Sequence, residues 1–121
     1  MGKVLVVEDD KDIRRSVRML LESEGYTVAV AGNGAEALAV LKSSPVMPAV
    51  IVLDLMMPVM DGFQFRIEQA KVPVYAKIPV VIMTADGHID DKKVRANAAG
   101  ALKKPADIAD ILEVVAKFCK G

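Results

Sequence analysis

The chain has 121 residues, of which 53% are hydrophobic and 26% charged; this suffices for one packed core and excludes a disordered polymer. Sixteen basic and sixteen acidic side chains give a formal net charge of zero, so charge offers no case for nucleic acid or an anionic membrane as partner. Cys119 is the single cysteine, which excludes an internal disulfide and any Cys/His zinc cluster.

In chain order, Val4–Val7 is a continuous β-branched run, the pattern of a strand buried on both faces. From Asp12 the period changes: Ile13, Val17, Leu20 and Leu21 make one helical stripe, and Asp9 or Asp10 is suited to cap it. Gly25 stands where a helix ends in left-handed geometry. Thr27–Ala31 reads as a second strand. Asn33 with Glu36 resembles a capping box for a helix carrying Leu38 and Leu41, closed by Ser43-Ser44-Pro45 and Pro48. Ala49–Leu53 is a third strand that stops at Asp54. Asp61-Gly62 opens a third helix to about Ala70, with Phe63 and Ile67 expected inward. Pro73 and Pro79 bracket a predicted loop, and Val80–Met83 is the fourth strand. A weak helix pattern follows over 90–97, then a short strand over Ala101–Lys103. The last helix carries Ile108, Ile111, Leu112, Val115, Phe118 and Cys119 as one stripe.

Five strand-helix pairs with right-handed crossovers predict a doubly wound, all-parallel α/β sheet with helices on both faces. The expectation is a single domain over residues 1–121 with no output domain. No apolar run reaches the roughly 20 residues of a spanning helix, and acids follow the first apolar run too closely for a signal peptide. A cytoplasmic protein is therefore expected.

On this frame the chemistry-bearing residues gather at one end. Glu8, Asp9 and Asp10 follow strand one, Asp54 ends strand three, Thr84 ends strand four and Lys104 follows strand five. With strand order 2-1-3-4-5, strands one and three straddle the switch point where such sheets bind ligands. Any one residue has an ordinary explanation as a cap, a turn or a solvated charge; the joint occurrence does not. Carboxylates about 4 Å apart repel by roughly 4 kcal/mol at an effective dielectric near 20, so the group needs a cation or a retained proton. Oxygen-only donors select a hard ion such as Mg²⁺. A cation, an ammonium and a hydroxyl around one carboxylate suit an aspartyl phosphate.

The motifs VLVVEDD, VLDLMMPVMDG, VVIMTA and LKKP, in this order on these strand ends, resemble the receiver domain of two-component response regulators. That resemblance implies the flavodoxin-like (βα)5 fold of the chemotaxis regulator. It implies that Asp54 is the phosphoacceptor, taking a phosphoryl group from a sensor histidine kinase or a histidine phosphotransfer protein. It implies Mg²⁺ held by Glu8, Asp9, Asp54 and the backbone carbonyl of Met56, with Asp9 and Asp54 as direct ligands. Thr84 and Lys104 would bind phosphoryl oxygens, Pro58 and Gly62 would shape the turn after Asp54, and Pro105 stands where a cis peptide is frequent. Output would pass through the face formed by the fourth predicted helix, fifth strand and last helix to a downstream protein, from a monomer or a phosphorylation-dependent dimer. The only catalysis implied is self-phosphorylation and self-dephosphorylation, not that of an enzyme.

Departures are equally informative. Ala101 stands where the family commonly has the aromatic switch residue, and Ala106 where Phe is frequent. The Thr84–Lys104 interval is about two residues short, and Asn97 replaces a usual Gly, although Asn tolerates left-handed geometry. Arg14, Arg15 and Arg18 lie on the helix face that family members offer to a phosphodonor; a solvated face explains them equally. His88 reads as a surface residue, Cys119 as packing, and Met56, Met57 and Met60 as shielding around Asp54. A phosphohydrolase of the haloacid-dehalogenase type would want an acid where Met56 stands. A flavin site would want a Ser/Thr/Gly phosphate loop where VEDDKD stands. A receiver-like interaction scaffold that is never phosphorylated is the alternative that Ala101 keeps open.

Overall fold

The structure, a computed structural model, describes residues 2–85, 91–92 and 96–119. Strands β1 (Lys3–Val7), β2 (Thr27–Ala31), β3 (Val50–Asp54), β4 (Val80–Thr84) and β5 (Gly100–Lys103) form one sheet. Every pairing is parallel and the order is β2-β1-β3-β4-β5, as expected. The helices are α1 (Lys11–Ser23), α2 (Gly34–Ser43), α3 (Gly62–Ala70), the single turn α4 (Pro73–Ala76) and α5 (Ile108–Phe118).

The three central strands are buried on both faces, and the strand period divides them between two cores. Leu5, Val7, Ile51, Leu53 and Ile82 face one core with Leu41 of α2 and Phe65 of α3. Val4, Val6, Val52, Val81 and Met83 face the other with Val17 and Leu21 of α1 and Ile111 and Val115 of α5. Two apolar layers therefore clamp the sheet, and the strand ends between them are held rigidly.

Local chemistry sets the boundaries. Asp10 caps α1, its carboxylate accepting from the amides of Asp12 and Ile13 at 2.9 and 3.0 Å. Gly25 takes φ 95°, the left-handed turn expected after that helix. Asn33 caps α2 through the Glu36 amide, while the Glu36 carboxylate reaches the amide of Gly32 rather than that of the cap itself. Asp61 and Gln64 form a complete capping box on α3.

Several expectations are corrected. The segment read as a loop after Pro73 begins with α4, because proline at the first helical position costs no hydrogen bond. Ile67 is 61% exposed, and the inward face of α3 is Gly62, Phe65 and Gln69. Ile13 and Ile108, assigned to inward stripes, are 39% and 63% exposed. They stand at the first turns of α1 and α5, whose buried residues come further along, at Val17 and Leu21 and at Ile111 and Val115. Of the helix predicted over 90–97, Asp91 and Lys92 are helical and Ala96 and Asn97 form a turn; the remainder lies outside the described residues, as does His88. Asn97 adopts φ 51°, the left-handed geometry foreseen for it.

Candidate functional site

The polar residues meet where β1 and β3 end. Glu8 is the first residue past β1, its amide bonded to the Ala31 carbonyl at 3.0 Å and its own carbonyl accepting from Arg14 Nη1 at 3.0 Å. Asp54 is the last residue of β3, and its Oδ1 accepts from the amide of Met56 at 3.2 Å. The following turn is closed by Leu55 N to Met83 O (3.3 Å) and Gly62 N to Leu55 O (3.0 Å). A Cβ on Gly62 would stand 2.8 Å from Leu55 Cα and 2.9 Å from the Asp54 carbonyl, so only glycine lets α3 start this close to the site. Across the sheet, Lys104 N donates to Thr84 O at 2.9 Å, and the Lys104–Pro105 bond is cis.

The side chains of Glu8, Asp54 and Lys104 form a charged triad. Lys104 Nζ lies 2.9 Å from Glu8 Oε1 and 3.1 Å from Asp54 Oδ2. Glu8 is 0% exposed and Asp54 2%. Burial, opposed by the Lys104 hydrogen bond and reinforced by the Asp54 charge, pushes the Glu8 carboxyl from 4.5 to about 7. Burial likewise raises Asp54, against the attraction of Lys104. Burial pulls the Lys104 ammonium down, but its bond to Glu8 and the charge of Asp54 outweigh that and hold it above its ordinary value. Both carboxyls are raised by burial first, and the one cation they share does not offset it. Glu8 Oε2 is buried with no hydrogen-bond partner. Oxygens of Glu8, Asp9 and Asp54 all lie within 4.8 Å of one another. An orphaned buried oxygen within an oxygen-only acidic cluster fits a hard divalent cation. Thr84, 1% exposed, ends β4 at the same end of the sheet, and Lys92 Nζ lies 3.4 Å from its Oγ1.

Residues 4–116 match the family described as "Response regulator receiver domain". The chain belongs to the response regulator receiver domain family. This receiver domain superposes on the chemotaxis response regulator CheY4 of Vibrio cholerae with a TM-score of 0.85 at 34% identity, covering 98% of both chains. It is 35% identical to an uncharacterized 14.6 kDa protein of Leptolyngbya boryana, over 96% of this chain and 88% of that one. It is also 38% identical to the DNA-binding dual master transcriptional regulator RpaA of Synechocystis, over 93% of this chain but 46% of that protein. The receiver domain thus spans about half the length of that regulator. Receiver domains are signalling modules of two-component systems rather than classical enzymes, and they bind Mg²⁺ at an acidic pocket. They interact with histidine kinases and downstream effectors.

The receiver brings Glu8, Asp9, Asp54, Thr84 and Lys104 to one end of the sheet. Met56 turns its side chain outward, 67% exposed, and contributes its amide to Asp54. Ala101 pairs with Ile82 across β4 and β5 and is half-buried against the α2–α3 core. Of the three arginines on α1, Arg14 is tied to Glu8 and Arg18 pairs with Glu22 at 3.4 Å. Three features of the site were not anticipated. Lys92, eight residues downstream, brings its Nζ to within 3.4 Å of Thr84 Oγ1. Val59, in the turn after Asp54, takes φ 68°, a conformation that β-branched residues avoid. Arg66 of α3 spans to the chain before β5, donating to the carbonyls of Ala96 and Asn97, each at 2.7 Å; burial lowers its pKa.

Proposed function

We propose that this receiver accepts a phosphoryl group on Asp54 from a phosphohistidine, with Mg²⁺ held by Glu8, Asp9, Asp54 and the carbonyl of Met56. The observation that carries the reading is the triad of Glu8, Asp54 and Lys104, in which Glu8 Oε2 is buried without a partner. A carboxylate oxygen of Asp54 attacks phosphorus, an acyl phosphate bond forms, and the P–N bond of the donor breaks with its electron pair returning to the imidazole. Mg²⁺, when bound, neutralises charge on the phosphoryl oxygens. Lys104, already 3.1 Å from Asp54, supplies a fixed positive charge to one of those oxygens, and the Thr84 hydroxyl donates to another. Because Lys104 is bonded through its backbone to Thr84, both groups are presented by one pair of neighbouring strands and need little reorganisation.

The donor would approach beside α1. An apolar groove lined by Ile13, Leu20, Pro105 and Ile108 opens next to Lys104, and its two exposed isoleucines suit the apolar face of a histidine-bearing helix. The phosphorylated domain would then be read by a downstream protein through β5 and α5.

Incubation with Mg²⁺ and acetyl phosphate, followed by intact mass measurement, tests the reading. A labile adduct that is lost in Asp54→Asn and in EDTA is the expected outcome. No adduct despite demonstrated Mg²⁺ binding would sink the phosphoacceptor reading and leave a receiver fold kept for protein contacts, the alternative that Ala101 permits.

A further inference from the structure

The two edge strands of the sheet differ in how they are protected. β5 ends on the exposed Lys103, a charge that discourages further pairing, whereas β2 reads Thr27-Val28-Ala29-Val30-Ala31, without charge, proline or bulge. The ladder to β1 fixes which backbone groups of β2 face outward. Thr27 N donates to Gly2 O at 3.3 Å and Ala31 O accepts from Glu8 N at 3.0 Å, so Thr27, Ala29 and Ala31 turn their backbone toward β1. Alternation then points the N–H and C=O of Val28 and Val30 away from the sheet, on the side where β2 has no neighbouring strand. Along this edge Arg15, Arg18, Met19 and Glu22 of α1 line a groove with Val30, and Met19 is 57% exposed. The first half of α1 carries Lys11, Arg14, Arg15 and Arg18, while Glu22 and Glu24 stand at its end with no basic residue in the last turn. Acids at that end run against the sense that the helix dipole favours.

We infer that β2 is a self-pairing edge, to which a second copy of this chain adds its own β2 antiparallel, joining the two sheets into one. A twofold axis between the two Ala29 residues sets Val28 of each copy opposite Val30 of the other. Each outward-facing residue thus meets an outward-facing one and exchanges both hydrogen bonds with it. Ala29 faces its own counterpart in the closer, non-bonded kind of pair, about 4.5 Å between Cα atoms, where a methyl group fits. The same axis keeps both copies of α1 on one face of the joined sheet and runs them antiparallel. The basic half of each α1 then passes the Glu22 end of the other, and Met19 covers the seam of paired valines. The Arg18–Glu22 pair within one helix is exposed, at 51% and 44%, so exchanging it between copies costs little. Asp54 and Lys104 take no part, and the groove beside Lys104 opens on the opposite flank of α1. The dimer is therefore independent of phosphorylation and of the phosphoacceptor reading.

Sedimentation velocity and amide hydrogen exchange on the full chain, in EDTA over a concentration series, test the pairing. The wild type is expected to approach twice the chain mass as concentration rises, and Asp54→Asn to behave alike. Over the same series the amides of Val28 and Val30 should slow in exchange more than that of Ala29, which is already turned toward β1. Val28→Pro removes an outward amide and keeps every bond to β1, so it should stay monomeric, with a thermal melt to confirm that it folds. Glu22→Arg, on the exposed face of α1, should raise the dissociation constant about tenfold at low salt, the upper range for two symmetry-related exposed ion pairs, and by less at high salt. Arg15→Glu/Arg18→Glu/Glu22→Arg, which swaps the two charged ends, should restore the wild-type value. A monomer at every concentration overturns the proposal and leaves the edge to a strand of another protein. A dimer whose Val28 and Val30 amides exchange as fast as in dilute protein, or one indifferent to Glu22→Arg, overturns it as well, because another face would then hold the copies together.

Discussion

The buried Glu8 carboxyl makes the stability of this receiver depend on pH and on divalent cation in a direction that can be worked out beforehand. Its pKa rises from 4.5 to about 7 on folding, and at 1.36 kcal/mol per pH unit this corresponds to about 3 kcal/mol. Because the folded pKa lies above the unfolded one, the folded chain holds the extra proton. The associated stability is complete below pH 4.5 and is lost as pH rises through about 7. Asp54 is shifted upward by the same cause, so it adds a slope of the same sign. Glu8→Gln keeps an oxygen for Lys104 and removes the titration, while Lys104 retains Asp54 at 3.1 Å. Urea unfolding in EDTA, followed by circular dichroism at pH 4.5 and pH 8, is expected to show the wild type losing about 2–3 kcal/mol more than the variant over that interval. At a urea m-value near 2 kcal/mol/M this is a midpoint difference of about 1–1.5 M. Saturating Mg²⁺ should restore the wild type at pH 8, and should do less for Glu8→Gln, which lacks a carboxylate at the position of the unpartnered Oε2. Parallel pH profiles for the two proteins in EDTA would refute the reasoning, because Glu8 would then have to be solvated in the folded state.

Val59→Gly should stabilise the fold by about 1 kcal/mol, since φ 68° strains a β-branched residue and suits glycine; a lower urea midpoint in the variant would show the turn to be unstrained. Gly62→Ala should cost about 2–3 kcal/mol and displace Asp54, because the new methyl meets backbone at 2.8 and 2.9 Å; unchanged stability would mean that α3 can shift freely. Arg66→Met should cost about 2 kcal/mol by leaving the Ala96 and Asn97 carbonyls without this donor. It should also speed hydrogen exchange over residues 96–102, and exchange confined to α3 would contradict that assignment.

The sheet order and the end at which the site lies were legible because both follow from rules with few exceptions. β-branched runs separated by helical periods force parallel strands, and parallel strands bring their carboxyl ends together. Asp54 could be picked out because the apolar run of β3 stops on a charge that the fold then buries. The α3 face was misread for a physical reason. Phe63 and Ile67 satisfy an i, i+4 pattern, and Phe63 does pack against the core, but Gly62 lies against the Asp54 carbonyl, and Phe65 and Gln69 are the fully buried residues while Ile67 turns outward. Gln69 disguises that face, because a fully buried glutamine looks like a surface residue until its amide is seen bonded to the carbonyls of Tyr75 and Ile78. A sequence pattern reports which residues prefer burial; it does not report backbone contacts.

The same limit separates the acidic pocket from its surroundings. Glu8, Asp54, Thr84 and Lys104 are each fixed by a strand end, so their meeting follows from topology. Val59 lies in the turn after Asp54 and Arg66 reaches the turn at Ala96 and Asn97, where the geometry comes from hydrogen bonds that no periodicity encodes. Ala101, by contrast, is placed by strand pairing: it lies opposite Ile82 of β4 and is half-buried against the core of α2 and α3.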